Sequence, residues 1–276
     1  MMSHAIRLTY KNSDIHVVVF GHGSRTLLAF HGFGESGSAF LALEPALAST
    51  YTVYAIDLPY HGNTMWRETA HFSTADLHDI LLLLLDRIQV STFDLLGFSM
   101  GGKCAMYATK FFADRVEVLW LLASDGIRTN RMYNIAVYPW WGRHLFKTTI
   151  DHPGWFFGIV DAAHKLKAIS PWLKKFTMNH MDTREKRLRL YNTWISMSTF
   201  NPDLQKVRST IMQHHITTCL IFGKRDEVIP PDVGADFAAG LPKAHFFAID
   251  RGHYFIDQRL NPVLEDILPQ LFHGNA

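Results

Sequence analysis

Residues 97–101 read Gly-Phe-Ser-Met-Gly, so a serine stands between two glycines at fixed spacing. The apolar run 92–96 precedes them, and a stretch typical of a helix, 102–108, follows. A strand, G-x-S-x-G and a helix form the context of a nucleophile elbow, in which a sharp turn lifts the serine hydroxyl clear of the sheet edge. Glycines beside the turn allow strand and helix to approach closely. The pattern predicts that Ser99 is a nucleophile.

A serine hydroxyl is a weak nucleophile and needs a base within hydrogen-bond reach. The chain has 16 histidines, so position has to select one of them. His253 comes just after the last predicted strand, 244–249, and Asp226 comes just past the preceding one, 217–222. A carboxylate holds the base in the correct tautomer. Ser, then Asp, then His is the chain order found in folds that carry a nucleophile elbow. Asp125, which follows the predicted strand 116–122, is the alternative acid.

Strands and helices alternate along most of the chain, which predicts a parallel, doubly wound sheet with helices on both faces. Ligands of such sheets bind beyond the carboxyl ends of the strands, where Ser99, His31 and Asp57 fall. Ser73 or Thr74 is the expected N-cap of the helix 74–88. Further predicted strands are 4–10, 15–20, 26–30 and 52–56, and further predicted helices are 37–48, 231–240 and one from about residue 254.

The alternation stops between about residues 127 and 205, where no run typical of a strand stands out. Five of the seven tryptophans lie here, and the stretch carries a net charge of +7 against −5 for the remainder. We expect an inserted helical cap at 127–205, with residues 1–126 and 206–276 forming the core domain. A solvated basic face is favoured over a site for anionic acyl groups or for a membrane surface. The tryptophans are Trp140, Trp141, Trp155, Trp172 and Trp194.

Composition narrows the classes of function. The formal net charge of +2 gives no electrostatic footprint for nucleic acid, so no nucleic-acid partner is expected. No secretory signal is predicted, and the longest apolar run, 80–85, is too short for an integral membrane segment. Cys104 and Cys219 are expected to be buried, reduced thiols, which suits a cytoplasmic protein. Composition leaves the oligomeric state open.

Five motifs in this order resemble the α/β-hydrolase family from about residue 25 to the end of the chain. Segment 31–34, His-Gly-Phe-Gly, resembles its oxyanion loop, and 57–62 resembles its D-x-P-G-H-G turn with Tyr60 in place of glycine. Segments 97–102, 223–226 and 252–253 match the elbow, the acid and the base. The resemblance implies an α/β-hydrolase fold with an inserted helical cap. It also implies an oxyanion hole formed by the backbone N–H groups of Phe33 and Met100.

The resemblance implies a serine hydrolase that cleaves carboxylic esters or related acyl compounds through an acyl-enzyme. A small, apolar acyl substrate is expected, with no organic cofactor and no metal. Capped relatives with a Ser-Met-Gly-Gly elbow include C–C bond hydrolases, which is the alternative activity, and perhydrolysis is a weaker third. A non-catalytic ligand-binding member of the fold is the alternative from another class. Outside the proposed site, His31, Glu35, Asp57 and His61 are interpreted as residues that stabilise loops and turns.

Overall fold

The computed structural model describes residues 3–128, 131–169 and 171–272, without the side chains of residues 172, 173 and 176. The aromatic ring of Trp172, counted above in the insertion, therefore lies outside the described part. Within the described residues, eight strands form one sheet in the order β1-β2-β4-β3-β5-β6-β7-β8. The strands are β1 His4–Tyr10, β2 Ser13–Gly21, β3 Arg25–Phe30, β4 Tyr51–Ile56, β5 Phe93–Phe98, β6 Val116–Leu122, β7 Thr217–Gly223 and β8 Ala244–Ile249.

Two pairings, β1 with β2 and β2 with β4, are antiparallel, and the remaining pairings from β4 through β3 to β8 are parallel. The parallel strands β3 and β5 are apolar almost throughout and nearly fully buried, as expected for strands covered on both faces. A mostly parallel sheet with crossover helices confirms the fold class predicted from the sequence.

Helices follow most of the strands along the chain. In the described part, the α-helices are α1 Glu44–Leu47, α2 Thr74–Ile88, α3 Gly101–Phe111, α4 Arg131–Val137, α5 Trp140–Asp151, α6 Gly154–Lys165, α7 Pro171–Met181, α8 Arg184–Met197, α9 Leu204–Gln213, α10 Pro231–Ala238 and α11 Asn261–Phe272, and two 3-10 helices span Gly37–Leu43 and Gln258–Leu260.

The predicted helix 74–88 is confirmed, and its N-cap is Ser73. The Ser73 side chain accepts a hydrogen bond from the Asp76 amide, and the Asp76 side chain accepts one from the Ser73 amide. This reciprocal pair is a capping box, which satisfies two backbone donors at the start of the helix.

Two helices differ from the sequence prediction. The segment 37–48 begins as a 3-10 helix, Gly37–Leu43, and becomes α-helical only at Glu44. The last helix begins at Asn261 instead of about residue 254. Asp257 explains the delay, because it is extended and its side chain accepts a hydrogen bond from the Arg259 amide, which caps a short 3-10 turn first.

The described residues divide into two compact units. One unit holds the residues up to Arg128 and those from Phe200 onward, and it contains the whole sheet. The other unit is formed by the residues between these two segments of the sequence and contains α4 to α8. Helix α9, which the sequence analysis did not predict, falls in the unit of the sheet. The assignment of the second unit as a cap stays a prediction.

Candidate active site

Ser99 occupies the turn between β5 and α3 in a backbone conformation that few residues adopt. Its φ is +50°, in the left-handed region that costs a residue with a Cβ about 1 kcal/mol or more. The turn is tight, because a Cβ added to Gly97 would lie 2.6 Å from the Gly101 carbonyl oxygen. Glycine at position 97 is therefore what lets strand and helix meet at Ser99.

A continuous hydrogen-bonded chain links three of the predicted residues. Ser99 Oγ lies 2.9 Å from His253 Nε2, and His253 Nδ1 lies 2.7 Å from Asp226 Oδ2. A carboxylate only accepts hydrogen bonds, so Nδ1 carries the proton and Nε2 is left as the acceptor for the serine hydroxyl. This is the tautomer in which the imidazole can act as a base toward Ser99.

Asp226 is fixed from its other side by the backbone of the loop after β7. Its Oδ1 accepts hydrogen bonds from the amides of Val228 at 2.8 Å and Ile229 at 2.9 Å. The side chain is fully buried beside His253. Three donors around it hold the carboxylate in one orientation.

The alternative acid, Asp125, has different partners. Its Oδ2 lies 3.2 Å from Lys103 Nζ, and its Oδ1 accepts a hydrogen bond from the Gly126 amide at 2.7 Å. The Lys103 side chain is buried, so this ion pair neutralises a charge behind the elbow. The structure thus brings Asp226, and not Asp125, to His253.

The loop after β3 forms a β-turn over residues 32–35. The Glu35 amide donates to the Gly32 carbonyl at 3.3 Å, and Gly34 has a φ of +81°, as the third position of a type II turn requires. Phe33, the predicted oxyanion residue, is the second residue of this turn. Glu35 Oε2 also accepts a hydrogen bond from the Gly32 amide at 3.3 Å, which agrees with its predicted role in the loop.

Met100, the second predicted oxyanion residue, lies at the N-terminus of α3, where backbone N–H groups lack partners within the helix. Among the described residues, no acceptor is found for the Met100 amide. Such an amide, next to the serine and aided by the helix dipole, is suited to hold an oxyanion.

His31 and Asp57, which also fall at strand ends, serve the backbone of the neighbouring loops. His31 Nδ1 donates to the Gly32 carbonyl at 2.8 Å, and its Nε2 accepts from the Leu58 amide at 3.0 Å. Full burial lowers the pKa of His31 to about 4, so the ring is neutral at pH 7. Asp57 accepts from the Gly37 amide at 2.6 Å and lies 2.9 Å from His16 Nδ1. His16 was not predicted from the sequence, because its contact with Asp57 depends on the pairing of β2 with β4.

No group of three or more His, Cys, Asp or Glu side chains that could hold a metal ion is found in the described part of the chain. Within the same residues, no helix combines the length and the apolar character needed to cross a bilayer.

Comparison with known proteins supports this fold. Residues 25–153 match the family model of the alpha/beta hydrolase fold. The structure of a thermophilic esterase from Thermogutta terrifontis superimposes with a TM-score of 0.69 at 18% identity, over 98% of this chain and 99% of that one.

Three relatives extend the similarity along the sequence. The hydrolase YugF of Bacillus subtilis is 24% identical over 255 residues, 89% of each chain. The dihydrolipoyllysine-residue acetyltransferase component of the acetoin cleaving system of Pseudomonas putida is 35% identical over 238 residues, 84% of this chain and 60% of the relative. A 2-hydroxy-6-oxononadienedioate/2-hydroxy-6-oxononatrienedioate hydrolase of Cupriavidus pinatubonensis is 26% identical over 262 residues, 90% and 88% of the two chains.

The fold and the family match agree: the chain has the α/β-hydrolase fold.

Proposed function

We propose that this protein is a serine hydrolase of carboxylic esters or related acyl compounds. The single observation that carries the proposal is the hydrogen-bonded chain from Ser99 through His253 to Asp226, at 2.9 Å and 2.7 Å. Distances in this range are those at which a base can take the proton of a nucleophile as it attacks.

In the proposed reaction, Ser99 Oγ attacks the acyl carbonyl carbon while its proton passes to His253 Nε2. The tetrahedral intermediate collapses to an acyl-enzyme, and the proton from His253 leaves with the alcohol. Water then attacks the acyl-enzyme, with His253 as base again, and the acid and free Ser99 are released. Asp226 stabilises the imidazolium that forms in both steps.

The amides of Phe33 and Met100 are proposed to bind the oxyanion in each tetrahedral intermediate. The Met100 amide at the start of α3 supports this role, and so does the ordered turn that carries Phe33. Loss of one such donor costs an enzyme about 100-fold to 1,000-fold in kcat.

Turnover of p-nitrophenyl esters from acetate to laurate tests the proposal, with Ser99→Ala measured in parallel. We expect turnover by the native enzyme, its loss in the variant, and covalent labelling of Ser99 by a fluorophosphonate. A chain-length optimum would define the size of the acyl site. If neither turnover nor labelling occurs, the hydrolase proposal is wrong and a ligand-binding role replaces it.

C–C bond hydrolysis is the second candidate, and the similarity to the Cupriavidus dioate hydrolase over 90% of this chain favours it. Labelling of Ser99 without turnover of any ester in the series, together with cleavage of a 2-hydroxy-6-oxo-dienoate, would support this candidate over the first.

A further inference from the structure

Glu35 lies beside the proposed site, yet the proposed mechanism assigns it no role. It is partly buried, and its carboxylate points back to the residue that begins its own turn. The Glu35 amide binds the Gly32 carbonyl, and the Glu35 carboxylate binds the Gly32 amide. Since His31 Nδ1 also donates to the Gly32 carbonyl, both peptide groups of Gly32 are held. These contacts fix the backbone of Gly32, which directly precedes Phe33.

The same carboxylate is close to the proposed base. A Cβ added to Gly32 would lie 3.0 Å from the Phe98 ring and 3.3 Å from Glu35 Oε2, so Gly32 separates the two side chains. The Phe98 ring in turn contacts the His253 ring, with centroids 5.5 Å apart. Burial raises the pKa of Glu35, and the nearby His253 acts against that rise.

We propose that Glu35 is a positioning residue, which clamps the turn 32–35 through the Gly32 amide and thereby aims the Phe33 N–H group at the oxyanion. The inference rests on the proposed acyl transfer by Ser99. The clamp needs an acceptor oxygen at this position, because an apolar side chain leaves the Gly32 amide without its bond.

A negative charge near an oxyanion is unfavourable by itself, and the geometry offsets it. The oxyanion and the His253 imidazolium form in the same step, and Glu35 attracts the imidazolium. Among the described residues, the titratable side chains placed beside His253, Glu35 or the Gly32 that Glu35 binds include Asp226, Tyr254 and the neutral His31. Burial, followed by Glu35 and Asp226, raises the pKa of Tyr254 to about 12, so Tyr254 stays neutral.

Glu35→Ala and Glu35→Gln separate the clamp from the charge. We expect Glu35→Ala to lower kcat by about 100-fold with little change in KM, because a small displacement of a catalytic donor has an effect of that size. Glu35→Gln keeps an acceptor oxygen and is expected to recover most of the loss.

Glu265→Gln is the matched control, since Glu265 is exposed on α11. Thermal unfolding of each variant shows whether it folds, and if Glu35→Ala does not, Glu35→Asp tests whether a shorter acceptor loses kcat. Native kcat in Glu35→Ala, an equal loss in Glu35→Gln, or a loss confined to KM would each overturn the clamp. Failure of the native enzyme to turn over esters or to label at Ser99 would instead reject the proposed function.

Discussion

At the scale of residues, the site depends on which carboxylate reaches His253. Asp226 and Asp125 both follow parallel strands whose carboxyl ends share one edge, so the sequence left both open. The choice comes from local backbone, because the amides of Val228 and Ile229 hold Asp226 in place while Lys103 holds Asp125. Neither contact has a signature in the sequence, which is why the acid could not be assigned there with certainty.

Asp226→Asn is expected to lower kcat on p-nitrophenyl esters by about 10,000-fold, because an amide favours the wrong tautomer of His253. Asp125→Asn is the comparison: it removes the carboxylate charge that lies 3.2 Å from the buried Lys103 Nζ, so we expect a lower melting temperature and a nearly native kcat. Steady-state kinetics and thermal unfolding of both variants check this. A larger loss of kcat in Asp125→Asn than in Asp226→Asn would reverse the assignment.

Protonation of His31 makes stability depend on pH. Burial lowers the pKa of His31 to about 4, whereas in the unfolded chain it is about 6.5. The unfolded state therefore takes up a proton first, and stability falls as pH drops from 6.5 toward 4. Between pH 8 and pH 5 the loss is about 2 kcal/mol.

Urea unfolding of the native protein and of His31→Gln between pH 5 and pH 8 measures this loss. A plot of the free energy of unfolding against pH is expected to be less steep for the variant. The difference in slope corresponds to about one bound proton. Equal slopes in the two proteins would contradict the assignment to His31.

At the scale of elements, the sequence predicted most of the strands and helices that position the site. The helix 74–88 and the strand 116–122 have the predicted bounds, because each has a strong local signal, a capping residue or a continuous apolar run. The start of α11 was wrong because Asp257 stabilises a 3-10 turn ahead of it. Helix α9 was missed because it follows directly on the tryptophan-rich insertion, whose composition obscures the boundary.

The elbow gives a prediction about the packing of β5 against α3. A Cβ at residue 97 would lie 2.6 Å from the Gly101 carbonyl oxygen, so Gly97→Ala must move strand or helix. We expect a loss of about 1–3 kcal/mol in stability together with most of the esterase activity.

Gly158→Ala is the matched control, because a Cβ at residue 158 of α6 meets nothing within 4 Å. Alanine is the better helix former, so this variant is expected to gain up to about 1 kcal/mol. Thermal unfolding and ester turnover measure both changes, and native activity in Gly97→Ala would show that the close approach is not required.

At the scale of the whole molecule, the fold was predictable because the order of apolar runs and turns repeats a unit, β-α-β, whose crossover has one favoured hand. The antiparallel pairing of β2 with β4 was less so, since these two strands lie far apart in the chain. The role of the basic, tryptophan-rich unit also stays a prediction, because composition does not say what a surface binds.

Both cysteines are buried in the unit of the sheet, on α3 and β7, and are free thiols. Burial raises the pKa of Cys104 to about 12 and that of Cys219 well above its usual range. We expect no reaction of the folded protein with Ellman's reagent at pH 8 and release of two equivalents in guanidinium chloride. Rapid reaction of the folded protein would show that this part of the unit opens locally.

The proposed base depends on the outermost strand. Among the described residues, β8 is the last strand in the sheet order and pairs only with β7, and His253 follows it by four residues. An edge strand exchanges its amide protons through fraying, without global unfolding. On gradual heating, catalysis is therefore expected to fail before the circular dichroism of the helices changes, and β8 amides should exchange faster than those of β5. Activity measurements would then report the local stability of this edge of the sheet.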